Sequence, residues 1–190
     1  HQLYVTSSGI LIDSGMARYL SVLPASVSLE SIVSNPIWAT AGLQCTFYIQ
    51  ARDEFVNNRT ESGGQFLSQV AYLDGPLDVI LAVVTDLNQG TFSASFTPTV
   101  AGKYAVFVQL DGIDVLRSPY EALVEPGLGA IQFSSASGSG ISIATVGSSA
   151  VFTIYLVDSY KNIRTSFFAP SILFLETNAT IDSPSISIFA

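Results

Sequence analysis

Charge is scarce in this sequence. Charged residues make up 12% of the 190 residues, and only seven residues are Lys or Arg. These basic residues are scattered and the formal net charge is −8, whereas a nucleic-acid-binding surface needs clustered Lys and Arg. We therefore expect no nucleic acid among its partners. No run of 18 or more apolar residues occurs either, so we expect no membrane span within this chain.

Residues that carry enzyme chemistry are also rare. His1 is the only histidine, so neither a zinc-binding cluster of histidines nor a Ser/His/Asp triad can be built beyond this terminal residue. Cys45 is the only cysteine, which rules out an intrachain disulfide. Because Phe47 and Ile49 follow it at alternate positions, we expect Cys45 to be a small buried apolar residue. We predict a protein that is not an enzyme and that needs neither a metal nor another cofactor.

The residues that are abundant are those that favour β-strands. Val, Ile, Phe, Tyr, Thr and Ser dominate, and 48% of the chain is hydrophobic. Between Gly90 and Val108, apolar and polar residues alternate in two runs separated by Pro98 and Gly102. This pattern is typical of two antiparallel strands with one buried face. The same reasoning predicts strands at about residues 27–33, 45–52, 66–73, 79–85, 91–97, 103–110 and 115–124. Seven short strands between turns are typical of an immunoglobulin-like β-sandwich.

The sequence contains an internal repeat. Residues 146–164 match residues 41–59 without a gap, at a spacing of 105 residues, and both contain the pattern G-x4-F-x-I-x3-D-x-[FY]-x-N-x-R. This pattern predicts a strand followed by a turn, with Asp53 and Asp158 as turn residues. A second, weaker match places residues 1–9 under residues 104–112.

The two matches together predict three units along the chain. Residues 1–26 are the last two strands of a preceding repeat, residues 27–127 form a complete repeat, and residues 128–190 hold roughly the first five strands of a following repeat. Tyr19 and Trp38 lie near the first boundary. They would either wedge neighbouring repeats together or fill a core.

The motifs of the complete repeat resemble those of filamin-type immunoglobulin repeats. That family carries an ARD-x-x-x-N turn, a GTY-x-V-x-Y-x-P strand and a G-x-Y-x-V strand, and its repeats close with GSPF and PG. The corresponding segments of this chain are residues 51–57, 90–98, 102–106, 117–120 and 126–127.

The resemblance implies an all-β fold of tandem sandwiches, with incomplete repeats at both ends here. It also implies a scaffolding, crosslinking, adhesive or force-bearing role without enzyme activity. The following repeat departs from the family pattern, because Phe168, Ala169 and Pro170 stand where Gly63 and Gly64 would fall.

The incomplete repeats predict how copies of the chain join. A sandwich without its last two strands leaves an apolar face in water and backbone groups unpaired. The N-terminal strands of one copy would complete the C-terminal sandwich of the next, which joins copies head to tail in an open filament. A continuous array of repeats, of which this chain is a window, would also supply the missing strands, and the sequence leaves both readings open. The expected contacts between copies join Leu3, Tyr4, Val5, Ile10, Ile12, Tyr19 and Val22 to Phe152, Ile154, Leu173, Leu175, Ile186 and Ile188.

Two sequons bear on the location of the protein. Asn58-Arg59-Thr60 and Asn178-Ala179-Thr180 fit N-glycosylation at Asn58 and Asn178, provided that the protein is secreted. With the low charge and abundant Ser and Thr, they favour an extracellular or cell-surface location. We predict a structural protein of an extracellular fibre. The alternatives are the ectodomain of a cell-surface adhesion receptor and, after it, an intracellular filamin-like crosslinker.

Overall fold

The chain is described by a computed structural model that covers residues 21–34, 36–76 and 79–164, together with the backbone of four two-residue strands between residues 2 and 19. The central part of the chain contains ten strands. They are β5 (Ser28–Val33), β6 (Ile37–Thr40), β7 (Cys45–Arg52), β8 (Phe66–Tyr72), β9 (Ile80–Leu81), β10 (Val83–Asp86), β11 (Thr91–Phe96), β12 (Gly102–Leu110), β13 (Ile113–Asp114) and β14 (Tyr120–Glu125).

These ten strands form two sheets. The first has the antiparallel order β10-β11-β7-β5, and the second has the order β6-β14-β12-β8-β9, with β13 paired to β12. In the second sheet β14 pairs with β6 in parallel, while β12 lies antiparallel between β8 and β14. The two sheets face each other as an immunoglobulin-like sandwich, which confirms the predicted all-β class.

The core lies between the sheets and follows the period of two of a strand. In β7, Cys45, Phe47, Ile49 and Ala51 are buried while the residues between them are exposed or half-buried. Every second residue of β11 is buried in the same way, at Phe92, Ala94 and Phe96. Alternate side chains of a strand point to opposite faces, so this spacing places one apolar face of each sheet inside.

Five of the predicted strands are found with small shifts. The strand predicted at about residues 79–85 is instead two strands, β9 and β10, which pair with β8 and β11 in different sheets. The last predicted strand also differs. That strand begins at Tyr120 instead of residue 115, because Arg117 has a positive φ of 65° and the N–H of Ser118 closes a turn on Val115. Strand β6 was missed, since it has four residues and its partner β14 is distant in sequence.

Cys45 and Trp38 lie on the strands β7 and β6. Cys45 is buried, as predicted, and its thiol donates to the Trp38 carbonyl at 3.4 Å. Burial raises the pKa of this thiol. The Trp38 side chain is 60% exposed on β6, so its reading as a core residue is wrong. Alternation along β6 turns this side chain away from the buried Ile37 and Ala39.

The four N-terminal strands pair as two antiparallel ladders. They are β1 (Gln2–Leu3), β2 (Thr6–Ser7), β3 (Ile10–Leu11) and β4 (Arg18–Tyr19), and β1 pairs with β4 while β2 pairs with β3. Leu3 lies opposite Arg18, as Val106 lies opposite Tyr120. The register of β1 with β4 is thus the same as that of β12 with β14, and the register of β2 with β3 is the same as that of β12 with β13.

The segment after the complete sandwich holds one further two-stranded sheet among the described residues. Strand β15 (Ser135–Ser137) pairs antiparallel with β16 (Thr153–Tyr155), so that Ala136 lies opposite Ile154. This pairing corresponds to that of Val33 with Ile49 in the complete repeat.

The apolar positions of this segment are less covered than their counterparts. Phe152 and Ile154 are half-buried, whereas Phe47 and Ile49 are buried. Val146, which corresponds to the buried Ala41, is fully exposed. Within the described residues, the face that forms a core in the complete repeat is therefore open in the following one.

Replacing these equivalent isoleucines tests this difference. Ile49→Ala should reduce the free energy of unfolding by about 2–5 kcal/mol, because it leaves a cavity in a closed core. Ile154→Ala should cost clearly less in unassembled chains, since its side chain is only half-buried. Urea denaturation of the two variants measures both. Equal losses would mean that the following repeat already has a closed core in a single chain.

Candidate functional site at the inter-repeat junction

The first aspartate turn (residues 53–57) follows β7 directly. The Asp53 side chain is buried, and its Oδ1 accepts hydrogen bonds from the backbone N–H groups of Phe55 and Asn57 at 3.0 and 2.9 Å. Its Oδ2 accepts from Asn57 Nδ2 at 3.0 Å. The left-handed Val56, with φ of 66°, lets the chain turn back within these few residues. The carboxylate therefore organises the whole turn, as the sequence predicted.

The same carboxylate reaches outside the turn to the segment that enters the sandwich. The backbone N–H of Ala25 donates to Asp53 Oδ2 at 3.0 Å. The Ala25 carbonyl accepts from Nη1 of Arg59, just beyond the turn. Both backbone groups of one linker residue are thus held by side chains of the D-x-[FY]-x-N-x-R pattern.

The second aspartate turn (residues 158–162) repeats this arrangement bond for bond. Asp158 is buried, and its Oδ1 accepts from the N–H groups of Tyr160 and Asn162 at 2.8 and 2.9 Å. Its Oδ2 accepts from Asn162 Nδ2 and from the N–H of Gly127, each at 2.7 Å. Arg164 Nη1 donates to the Gly127 carbonyl at 2.8 Å. Gly127 is therefore the linker residue of this repeat, as Ala25 is of the one before.

Hydrogen bonding keeps both aspartates ionised. Burial by itself raises the pKa of each carboxyl. The bonds from Asn57 and the N–H groups of Ala25, Asn57 and Phe55 outweigh burial at Asp53, so that its pKa lies below the ordinary value. The equivalent bonds lower the pKa of Asp158. Each linker is thus held by a carboxylate, to which hydrogen bonds are stronger than those between neutral groups.

The second turn also contacts the tip of the complete sandwich. Asn162 Nδ2 donates to the Thr99 carbonyl at 2.8 Å, and Asn162 Oδ1 accepts from the Ala101 N–H at 2.8 Å. Thr99 and Ala101 belong to the loop between β11 and β12. One amide side chain therefore joins the two repeats through both its donor and its acceptor, which fixes the orientation of the contact.

A close approach of Tyr160 to Gly42 extends this contact. A Cβ atom placed on Gly42 would lie 2.3 Å from Cε2 of the Tyr160 ring. Gly42 also has a left-handed φ of 82°, so both space and backbone geometry require glycine here. On the linker, a Cβ on Gly127 would lie 3.0 Å from the Ala41 carbonyl oxygen. The inter-repeat junction consists of this contact together with the aspartate turn and its linker.

The predicted contact residues between copies lie in several places. Leu3, Ile10 and Tyr19 belong to β1, β3 and β4, and Val22 has an exposed side chain. Phe152 and Ile154 lie on the open face beside β15. The others fall outside the described residues; these are Tyr4, Val5, Ile12, Leu173, Leu175, Ile186 and Ile188.

The residues just before Ala25 lie beside the first aspartate turn. Leu23 and Pro24 line a shallow cleft with Arg59, Thr60 and Glu61 of their own chain, next to the bond from Ala25 to Asp53. The Leu23 side chain is 66% exposed, so the packing of the N-terminal segment on another copy stays a prediction.

Of the two sequon asparagines, Asn58 is exposed beside the first aspartate turn, where its Oδ1 accepts from Arg52 Nε at 3.0 Å. Asn178 lies outside the described residues. Within those residues no group of three or more His, Cys, Asp or Glu side chains is placed to hold a metal ion. The part of the chain that the structure describes also contains no helix with the length and hydropathy of a transmembrane segment.

Replacing Asn162 tests the contact between repeats. Asn162→Ala removes three hydrogen bonds, each of which contributes about 0.5–1.5 kcal/mol. The Ala101 amide should then exchange its hydrogen with solvent faster, as measured by NMR-detected hydrogen exchange. Asn57→Ala is the matched control, because it removes the equivalent side chain from the first turn. Unchanged exchange at Ala101 in Asn162→Ala would contradict the contact.

The lowered aspartate pKa values predict how stability depends on pH. A carboxyl whose pKa is lower in the folded state stabilises it above the ordinary aspartate pKa of about 4, and this contribution is lost as the pH falls through the lower, folded value. The urea midpoint should therefore fall as the pH is lowered from 5 to 2. Asp158→Asn should lower the midpoint at pH 7 and reduce this dependence. Asp111→Asn removes the same charge at an exposed position and is the control; an equal effect there would contradict the prediction.

The fold is similar to that of a bacterial adhesin and of a bacterial integrin-binding protein of known structure. The Escherichia coli adhesin FdeC matches over 86% of this chain and 52% of its own, with a TM-score of 0.60 and 19% sequence identity. Invasin, a bacterial integrin-binding protein, matches over 75% of this chain and 29% of its own, with a TM-score of 0.59 and 20% identity. At these identities the likeness shows the fold alone.

Sequence relatives identify the repeat itself. Mouse filamin-C is 38% identical over 71 residues, which are 37% of this chain and 3% of the mouse protein, and rat filamin-C is 37% identical over the same length. The chain thus corresponds to a small part of these relatives. The family model of the Filamin/ABP280 repeat matches residues 25–121, just over half of the chain. The chain therefore belongs to the filamin repeat family.

Proposed function

We propose that this protein is a non-enzymatic structural protein whose copies join head to tail in an extracellular fibre. The fold supports a structural or adhesive role, since a protein described as an adhesin has a similar fold to this filamin-type repeat. The specific arrangement proposed is that strands β1 to β4 of one copy complete the open sandwich that follows β14 in the preceding copy. Residues 1–22 are the donor segment of this arrangement.

The observation that carries this proposal is the register of the N-terminal strands. Leu3 opposite Arg18 corresponds to Val106 opposite Tyr120, and Ser7 opposite Ile10 corresponds to Leu110 opposite Ile113. This register matches that of the last strands of the complete sandwich, which supports the proposed role of the N-terminal strands as the last strands of another one. Such a short ladder is only marginally stable without further strands beside it, so its stable place is within a larger sheet.

The complete sandwich indicates what the donated strands would cover. There β12 pairs with β8 and β14 pairs with β6, and together they contribute Val106, Val108 and Val124 to the core. Leu3, Val5 and Val22 correspond to these residues in sequence. In the following repeat, Phe152 and Ile154 lie half-buried on the open face. Covering this face with apolar residues is the driving force for the association.

The junction between repeats favours a fibre in which neighbouring repeats keep a fixed orientation over a chain of repeats joined by flexible linkers. Asn162 fixes the orientation of one repeat on the other, and Asp158 holds the linker at Gly127. A junction held at several points transmits orientation from repeat to repeat, so the assembly is quasi-one-dimensional.

The location outside the cell is part of the proposal. Asn58 is exposed beside the first aspartate turn and stands in a sequon, and an exposed position of this kind accommodates an N-linked glycan. Glycans along a fibre would keep its faces apart and soluble. The corresponding glycan on Asn178 is expected from the sequon alone.

Electron cryo-microscopy of the native assembly tests the proposal. We expect filaments in which residues 1–22 of each copy pair within the sandwich that residues 128–190 of its neighbour begin, with glycan density on Asn58. Denaturing electrophoresis of the same material should release separate chains. A chain that runs continuously through many repeats would support the tandem array, and a monodisperse monomer would contradict both forms of fibre.

An excess of a peptide with the sequence of residues 1–22 gives a matched solution test. It should occupy the open sandwich and stop filament growth, whereas a peptide of the same composition in scrambled order should not. Growth that is unaffected by both peptides would contradict strand donation.

A further inference from the structure

The contact between Tyr160 and Gly42 has an unpartnered counterpart in the same chain. Phe55 corresponds to Tyr160 in the repeat pattern, and Gly147 corresponds to Gly42. The Phe55 side chain is 69% exposed. Apart from its chain neighbours, no atom of the described residues lies within 4 Å of a Cβ placed on Gly147. Gly147 keeps the left-handed backbone of its counterpart, with φ of 78° against 82° at Gly42. The aromatic side chain and the glycine of this second contact are thus both present, but they do not contact each other within the described residues.

We propose that the Phe55 ring of one copy packs on Gly147 of the preceding copy, as Tyr160 packs on Gly42 within the chain. This inference rests on the head-to-tail arrangement proposed above. It adds a second interface between copies, separate from the donated strands, and its occupant is a second copy of this chain.

The connection of the strands places Phe55 where this contact requires it. In the complete repeat, β14 leads through Gly127 to the aspartate turn that carries Tyr160. At the other end, β4 leads through Ala25 to the aspartate turn that carries Phe55. If β4 belongs to the sandwich of the preceding copy, its linker brings Phe55 to the tip of that sandwich.

Gly147 lies at the tip of the sandwich to which the linker of the next copy leads. In the complete repeat the Ala41 N–H donates to the Glu125 carbonyl at 2.8 Å, so the loop with Gly42 lies beside the end of the last strand. Gly147 occupies the equivalent loop of the following repeat, next to the exposed Val146.

The residue types agree with the contact at each position. Phe55 presents the ring of Tyr160 without the hydroxyl that also lies beside Gly42, and the large exposed ring of Phe55 would lose contact with water. The linker differs, since Ala25 stands in the place of Gly127. A Cβ there would meet a carbonyl oxygen at 3.0 Å in the observed junction, so the two repeats need to separate by only a few tenths of an ångström.

Crosslinking between two single variants tests the contact. Unassembled Phe55→Cys chains are mixed with epitope-tagged Val146→Cys chains and allowed to assemble, then treated with a short bifunctional thiol reagent. Val146 replaces Gly147 as the attachment point because it is fully exposed next to it and avoids a side chain on a left-handed glycine. The native Cys45 is buried with a raised pKa, which keeps it out of the reaction. We expect a tagged dimer of one chain of each kind.

The matched control replaces Val146→Cys with Leu81→Cys, which is 72% exposed on β9. A yield with Val146→Cys several-fold above that of the control supports the contact. Filaments that form without this crosslink, or with equal yields of crosslinked dimer from both mixtures, would contradict the Phe55 contact but not the proposed fibre. Absence of both filaments and crosslink overturns the fibre together with the contact.

Discussion

The structure of this chain depends on one buried interaction that occurs twice. An aspartate carboxylate in the turn that follows a strand accepts four hydrogen bonds, three from its own turn and one from the linker that enters the repeat. A buried carboxylate is costly unless its acceptor positions are filled, and here the turn and the linker fill them together. The turn geometry and the position of the linker are therefore stabilised by the same group.

This shared group explains why the turn and the linker occur together. Removal of the linker N–H leaves part of a buried charge without its partner. At Gly127, removal of the charge also leaves a buried N–H without its acceptor. Such a change costs more than one ordinary hydrogen bond, because the remaining buried partner stays desolvated. Arg59 and Arg164 add a second hold on each linker through its carbonyl. A pull along the chain at the linker would load both bonds at once.

Sequence reasoning predicted those features of the fold and junction that depend on side-chain patterns. The alternation in β7 and β11 located the core strands, and the spacing of Asp, aromatic, Asn and Arg residues identified both turns. The bonds to Ala25 and Gly127 were not predicted, since they use the backbone N–H that every residue except proline carries. The only available signal was that the Arg at the end of the pattern is kept in both copies, beyond what a turn needs. Strand β6 was missed because a parallel partner distant in sequence leaves no local pattern.

The two copies of the turn differ in one respect that bears on assembly. The second turn has a neighbouring sandwich to contact, so Asn162 and Tyr160 have partners there. The first turn carries the same residue types, and its aromatic ring faces solvent. The Phe55 side chain is 69% exposed, so its own repeat buries only a minor part of it. Because the pattern that includes this ring is complete in both turns, the proposed contact with a second sandwich would give Phe55 a partner equivalent to that of Tyr160.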